Sequence, residues 1–206
     1  MAITHNVEQG TFEWLAVRLG IPTASDFDKI ITSTGKASTQ TTAYAHKLLA
    51  EILTGKPVET FEKTEWMERG VLLESSAVQF YEVKNDVETV KVGFVTDDKR
   101  TMGCSPDRLV GDDGLLEIKC PAPHTHVGYM LAGKVDRKYW PQLQGQLLVS
   151  GRKWVDWMSY HPEMQPVIVR VERDEEFIKA MHASIQQFNA ELAVELGKLM
   201  PIKEAA

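Results

Sequence analysis

Ser105-Pro106-Asp107, Gly111-Asp112-Asp113-Gly114 and Glu117-Ile118-Lys119 follow one another within a single short stretch and bring two carboxylates and an ammonium together. Glycine and aspartate at its centre tolerate turn conformations, so the stretch predicts a β-hairpin. On the second arm, Leu115 to Cys120, alternation sends Leu116, Ile118 and Cys120 to one face and Glu117 and Lys119 to the other. The simplest register, with the turn centred between Asp112 and Asp113, sets Arg108 opposite Glu117 and leaves Asp107 one step off. A one-residue bulge would bring Asp107 and Glu117 to the same face. Carboxylates that close repel, and they share a proton or take a cation. A hard divalent ion such as Mg²⁺ suits this partial oxygen shell, which phosphate oxygens can complete. The competing reading is a surface hairpin with a Glu117–Lys119 ion pair.

Two helices offer further polar groups. Glu74 shares a helical face with Met67, Val71, Val78 and Tyr81, and a carboxylate on an apolar face needs a partner. That partner is either a basic side chain or a metal site, and Gly70, one turn earlier, leaves room for a ligand. Tyr139, Gln142 and Gln146 recur at helical spacing on one face, with Gln144 pointing elsewhere. An amide can donate to a phosphate oxygen and accept from a water.

The elements that must carry these groups can be read along the chain. Helices are predicted over Thr11 to Leu19, from Thr23–Asp26 onward, over Ala43 to Leu53 and over Thr64 to Val83. Strands are predicted over Val90 to Val95, Thr101 to Ser105, Leu115 to Cys120, Lys153 to Tyr160 and Pro166 to Glu172. Pro121 to Val127 reads as a loop. Asp136 to Ser150 is mostly helical, with Pro141 in its first turns, and Asp174 caps a final helix to Leu199. Helices, then hairpin-linked strands, a crossing helix, two strands and a closing helix indicate one mixed α/β (α+β) domain over residues 1–206.

Composition narrows the function classes. Hydrophobic residues make up 43% and charged residues 25% of the 206, an ordinary globular balance with no run of transmembrane length. Met1 to Gly10 has no signal-peptide pattern, so the expected compartment is the cytoplasm. The net charge of −6 argues against a generic DNA-coating protein but leaves room for a local basic track, with Arg18, Lys36, Lys134, Arg137 and Lys138 as its candidates. Cys104 and Cys120 fall on the proposed hairpin arms and are expected as reduced thiols. Two cysteines are too few to hold an iron–sulfur cluster. His124 and His126 form His-x-His, without further His or Cys nearby to complete a metal site. The five tryptophans, Trp14, Trp66, Trp140, Trp154 and Trp157, read mostly as core.

Pro106-Asp107 followed by Glu117-Ile118-Lys119 resembles the PD-(D/E)xK nuclease signature. Around it, in order, stand Trp14-Leu15-Ala16-Val17-Arg18-Leu19-Gly20, Thr23-Ala24-Ser25, Gly70-Val71-Leu72-Leu73-Glu74, Cys104-Ser105-Pro106-Asp107, Leu116-Glu117-Ile118-Lys119-Cys120-Pro121 and Tyr139-Trp140-Pro141-Gln142-Leu143-Gln144. Together these resemble the phage lambda exonuclease family, the YqaJ-type viral recombinases, from about Val7 to the final helix.

The resemblance implies a restriction-endonuclease-like core, a mixed sheet flanked by helices. It implies a Mg²⁺-dependent exonuclease, with Mn²⁺ as a substitute, that degrades one strand of linear double-stranded DNA from the 5′ end. The 3′ single strand left behind would pass to a single-strand annealing protein during recombination in the bacterial host of a phage or prophage. The active form would be a ring-shaped homotrimer. Asp107, Glu117, the backbone carbonyl of Ile118 and Glu74 would hold metal. Lys119 would orient the attacking water, with Gln142 and Tyr139 beside it. Arg18, Ser25 and Ser105 would hold the 5′ phosphate, in keeping with the guanidinium's fork of donors and a serine at a helix start. Two alternatives stay open: an endonuclease of the same core, of restriction or junction-resolving type, and a DNA-end-binding recombination scaffold without activity. Arg108, where lambda-type members often carry glycine, would touch phosphate or pair with Glu117.

Overall fold

The computed structural model describes residues 2–58 and 65–200, with residues 65–71 described by their backbone alone. Two sheets organise the chain. The larger has the order β2 (Thr89–Lys91), β5 (Arg108–Val110), β6 (Gly114–Lys119), β7 (Trp154–Ser159) and β8 (Val167–Glu172). All its pairings are antiparallel except β6–β7, whose parallel run Gly114↔Trp154 to Lys119↔Ser159 requires a crossover. Helices α4 (Pro123–Ala132) and α5 (Trp140–Ser150) make that crossover. The smaller sheet has the order β1 (Ala2–His5), β3 (Phe94–Asp97) and β4 (Gly103–Cys104). Helices α1 (Phe12–Arg18), α2 (Thr41–Thr54), α3 (Glu65–Asn85) and α6 (Glu175–Leu199) complete the α+β arrangement.

Strand β6 is buried on both faces, as a central strand must be. Leu115 packs with Leu143 and Leu147 of α5 and with Trp157, whereas Leu116 and Ile118 pack with Ala77, Val78 and Tyr81 of α3. Glu117 and Lys119 therefore share the α5 face with Leu115, and the predicted alternation holds. Thr11 caps α1 through its side chain, Asp174 caps α6 by accepting from Phe177 N, and Gly55 closes α2 in the left-handed conformation.

Several expectations are corrected. The single strand expected over Val90 to Val95 breaks at Gly93 and feeds both sheets. A Cβ at Gly93 would stand 1.9 Å from the Val7 carbonyl oxygen, so only glycine lets the N-terminal segment pass this close. The loop expected over Pro121 to Val127 is instead the start of α4, with Pro123 in its first turn, where the missing N–H costs nothing. The helix expected from Thr23–Asp26 is a 3₁₀ segment, Ala24–Lys29. Cys104 belongs to β4 of the smaller sheet and not to the hairpin that carries Glu117, and the two cysteines form no disulfide with each other. His126 is buried, bonded to Ser159 Oγ at 2.7 Å and to the Gln165 carbonyl at 3.1 Å, and so serves as a tether between α4 and the end of β7. Among the described residues no helix is long and apolar enough to cross a membrane.

Gly145 lets the 3₁₀ segment press against α5: a Cβ there would meet Phe27 Cδ2 at 2.4 Å and Ala24 Cβ at 3.2 Å. Phe27 is fully buried and has nowhere to move. Gly145→Val is expected to lower the unfolding free energy by about 1–3 kcal/mol through overpacking, measured by urea denaturation.

Candidate active site

The hairpin turn sets the site. Its three residues are Gly111, Asp112 and Asp113, with Gly111 at φ 52°, and not the pair Asp112–Asp113. The register is therefore Arg108↔Leu116, Leu109↔Leu115 and Val110↔Gly114, one residue away from the simplest expectation. Shifting a register by one exchanges the faces of every side chain. The ladder ends at Arg108, and Asp107 just before it reaches back to β6 through its side chain, close enough to feel the Glu117 carboxylate, while Arg108 shares the α3 face with Leu116. Arg152 fixes the turn by donating from Nη1 to the carbonyls of Gly111 at 2.7 Å and Gly114 at 2.8 Å.

Asp107 is half-buried, and its Oδ2 accepts from Ile118 N at 2.6 Å. Glu117 is only 3% exposed. Its Oε1 accepts from Lys119 Nζ at 2.6 Å and Gln142 Nε2 at 2.7 Å, and its Oε2 accepts from Gln146 Nε2 at 2.6 Å. Withdrawal from water, and then repulsion by Glu117, pushes the Asp107 carboxyl well above the usual carboxylate range. Burial alone would push the Lys119 ammonium down. The Glu117 and Asp107 carboxylates outweigh it and hold the ammonium above its ordinary value. As these side chains stand, Lys119 is a cationic donor and not a base. Its Nζ also lies 3.4 Å from Gln142 Oε1 and 5.3 Å from the centre of the Tyr139 ring. Tyr139 OH reaches Tyr129 OH at 3.3 Å, and burial followed by this contact raises the phenol to about 12.

Glu74 departs from the buried position expected of it. Its side chain is 30% exposed, and its Oε1 lies 2.8 Å from Arg108 Nη1. The register explains this partnership, because it turns Arg108 away from Glu117 and toward α3. Of the apolar neighbours expected for Glu74, Val78 and Tyr81 are buried, whereas the side chains of Met67 and Val71, like Gly70 and Trp66, lie outside those described. Among the described residues no three His, Cys, Asp or Glu side chains gather tightly enough to form a metal cluster. The two carboxylates that face each other most closely are Asp107 and Glu117, with Glu74, paired to Arg108, also acting on Asp107. Two carboxylates drawn out of water and repelling each other are a fit for a hard divalent cation, which would relieve that repulsion.

A second constellation lies beside the first. Arg18 Nη1 donates to Ser105 Oγ at 3.3 Å and Nη2 to Thr23 Oγ1 at 3.4 Å, and Thr23 Oγ1 lies 3.1 Å from Ser25 Oγ. Trp14 holds both ends of this group: its ring stacks 3.9 Å from the Arg18 guanidinium carbon and its Nε1 donates to Ser105 Oγ at 3.0 Å. The three residues expected at an anion pocket are thereby brought together through Thr23 and Trp14, which residue-type reasoning did not single out for this task. Gln146 is the other site neighbour left out, although its helical spacing from Gln142 already placed it on the right face.

Raising the Asp107 carboxyl has a consequence for stability. The contribution of its protonated form is fully present below about pH 4, its unfolded value, and is lost as pH rises through the raised folded value. Asp107→Asn, neutral throughout, is therefore expected to melt higher than the parent protein, by a margin that widens from pH 4 to pH 8. Thermal melts across that range check it.

Comparison with known proteins gives the family and the fold. A family model described as the YqaJ-like viral recombinase domain matches residues 13–153. The alkaline exonuclease LHK-Exo from Laribacter hongkongensis is 36% identical, with a TM-score of 0.82 over 92% of this chain and 96% of that one. The structure of LHK-Exo in complex with dAMP gives 34% identity, a TM-score of 0.82 and the same coverage, 92% and 96%. A phage-related exonuclease from Haemophilus somnus 129PT shares the fold, with a TM-score of 0.64 and 15% identity over 87% of this chain and 96% of that one. No curated protein matches the sequence. The mixed sheet flanked by helices is the restriction-endonuclease-like fold that the motifs imply. Because the family model spans well over half of its residues and a 36%-identical exonuclease matches nearly all of it, the chain belongs to the YqaJ-like viral recombinase family, the lambda-exonuclease-like group.

Proposed function

We propose that this chain is a Mg²⁺-dependent deoxyribonuclease that removes nucleotides from one strand of linear double-stranded DNA in the 5′→3′ direction. Mn²⁺ would serve as a substitute. The observation that carries the reading is the adjacency of the two constellations. Ser105, in the Arg18 pocket, and Asp107, beside Glu117, are two residues apart, a span of at most ~7 Å. A terminal phosphate gripped by Arg18 would set the scissile bond near the carboxylates, and such a grip needs a free end. LHK-Exo, the 36%-identical relative, is an alkaline exonuclease and has been crystallised with dAMP, a deoxynucleoside monophosphate of the kind an exonuclease releases.

In this reading Asp107 and Glu117, with the backbone carbonyl of Ile118, hold the cation, and Glu74 adds to the acidic field from its pair with Arg108. A bound Mg²⁺ supplies Lewis-acid chemistry, lowering the pKa of a water and offsetting charge on the phosphate. The protein's own groups do the rest. Lys119, held cationic, stabilises the negative charge that grows on the phosphate during attack. Gln142 bridges Lys119 and Glu117 and fixes the ammonium's direction. The Tyr139 ring shields that ammonium from one side. Arg18, Ser25 and Ser105 bind the 5′ phosphate. The family reading adds a ring-shaped homotrimer around the duplex, a single-strand annealing partner for the 3′ strand, and work in the cytoplasm of a bacterial host.

The test is a time course with Mg²⁺ on three substrates: 5′-phosphorylated linear duplex, 5′-hydroxyl linear duplex and a covalently closed circle. Fast loss of the phosphorylated strand with the circle intact is expected. Cutting of the circle would make the protein an endonuclease, and end binding without cleavage would make it a scaffold. Lys119→Ala is expected to slow cleavage by at least ~10²-fold, the scale of one lost transition-state donor. Arg18→Ala is expected to cut the preference for 5′ phosphate by roughly 10–100-fold, since a hydrogen bond to a charged group contributes about 1.5–3 kcal/mol. Initial rates on the two linear substrates measure both.

A further inference from the structure

We propose that Gln146 is a positioning residue that holds the Glu117 carboxylate in the orientation in which it receives the divalent cation. The inference rests on the reading of Asp107 and Glu117 as that cation's ligands. Gln146 is 1% exposed and cannot touch DNA, so it can act only through a neighbour. That neighbour is Glu117, whose Oε2 takes the Gln146 Nε2–H at 2.6 Å. Lys119 and Gln142 both bond to the other oxygen, Oε1. Among the described residues Gln146 is therefore the one donor to Oε2, and without it the carboxylate is held at one oxygen and free to swing about it.

The rest of the amide argues against a role in stability. Its carbonyl oxygen, Oε1, is buried and has no hydrogen-bond partner among the described residues. A buried acceptor left unsatisfied weakens a fold. The amide cannot escape by flipping, because its oxygen would then face the Oε2 of a carboxylate, acceptor against acceptor. A methionine of similar length would fill the same space and remove the orphan acceptor. Packing alone would favour that apolar choice. What glutamine adds is a directed N–H on the face of a carboxylate, in the manner of groups that orient metal ligands from behind.

Calorimetric titration of Mn²⁺ into metal-free protein separates these roles, using the parent chain, Gln146→Met, Gln146→Leu and Glu117→Ala, each with its metal-free melting temperature. The parent chain is expected to bind Mn²⁺ and Glu117→Ala to lose that binding. Gln146→Met is expected to bind about 10–100-fold more weakly, the usual effect of removing a ligand's outer partner, while still folding cooperatively, because losing the orphan Gln146 acceptor offsets part of the cost of leaving Glu117 Oε2 without a donor. Binding by Gln146→Met and Gln146→Leu within about twofold of the parent, with Glu117→Ala still deficient, would overturn the positioning role and leave the metal site standing. Failure of both variants to fold would assign Gln146 to the scaffold and also overturn it. Equal binding by the parent and Glu117→Ala would remove the metal-site reading itself, and this inference with it.

Discussion

A carboxylate sits almost out of water at the middle of this fold, and much of the architecture answers to it. Glu117 is on β6, the central strand of the larger sheet, where both faces are otherwise filled by Leu115, Leu116 and Ile118. A charge in such a position is tolerated only when both of its oxygens are hydrogen-bonded. Helix α5 supplies Gln142 and Gln146, one turn apart, and β6 itself supplies Lys119. The crossover that makes β6 and β7 parallel is the connection that lays α5 on this face. Topology and electrostatics are thus one requirement: without the crossover helix the strand could not carry a glutamate.

The opposite face repeats the solution with different partners. Asp156 on β7 is buried and accepts from Tyr81 OH at 2.6 Å and from Arg170 Nε and Nη2 at 2.9 Å each. Arg108 and Glu74 pair on that same side, where α3 covers the sheet. Acidic groups on each side have their own basic or amide partners, and at the edge of the sheet Glu74 still adds its charge to the field felt by Asp107.

Much of this was legible in the sequence because it depends on periodicity. Alternation on β6 separated Glu117 and Lys119 from Leu116 and Ile118. Helical spacing put Tyr139, Gln142 and Gln146 on one face and sent Gln144 elsewhere, where its amide bonds to the Glu172 carbonyl and Asp174 N. What failed has local physical causes. Gly-Asp-Asp-Gly offers turn-forming residues at four successive positions, so composition could not choose between a two-residue and a three-residue turn, and that choice decided where Arg108 points. Strand β1 is mostly exposed and shows no alternation. Helix α4 was hidden by Pro121 and Pro123, which read as breakers although a proline in the first turn starts a helix. The split at Gly93 follows from a long-range approach by Val7, which no window around residue 93 contains. The Arg18 pocket is of the same kind: its members are far apart in the chain, and only the resemblance grouped them.

The main chain, not the side chains, sets how far apart the walls of that pocket stand. Thr23 pairs with Gly103 as an isolated parallel bridge, and Gly103 N donates to the Pro22 carbonyl at 3.0 Å. Ser25 follows one partner of this bridge by two residues, and Ser105 follows the other by two. Replacing a serine or the arginine alters how strongly an anion is gripped but leaves the gap unchanged. The fold thereby separates a fixed gauge from an adjustable grip, so that chemistry at this pocket can drift in evolution while its dimensions do not.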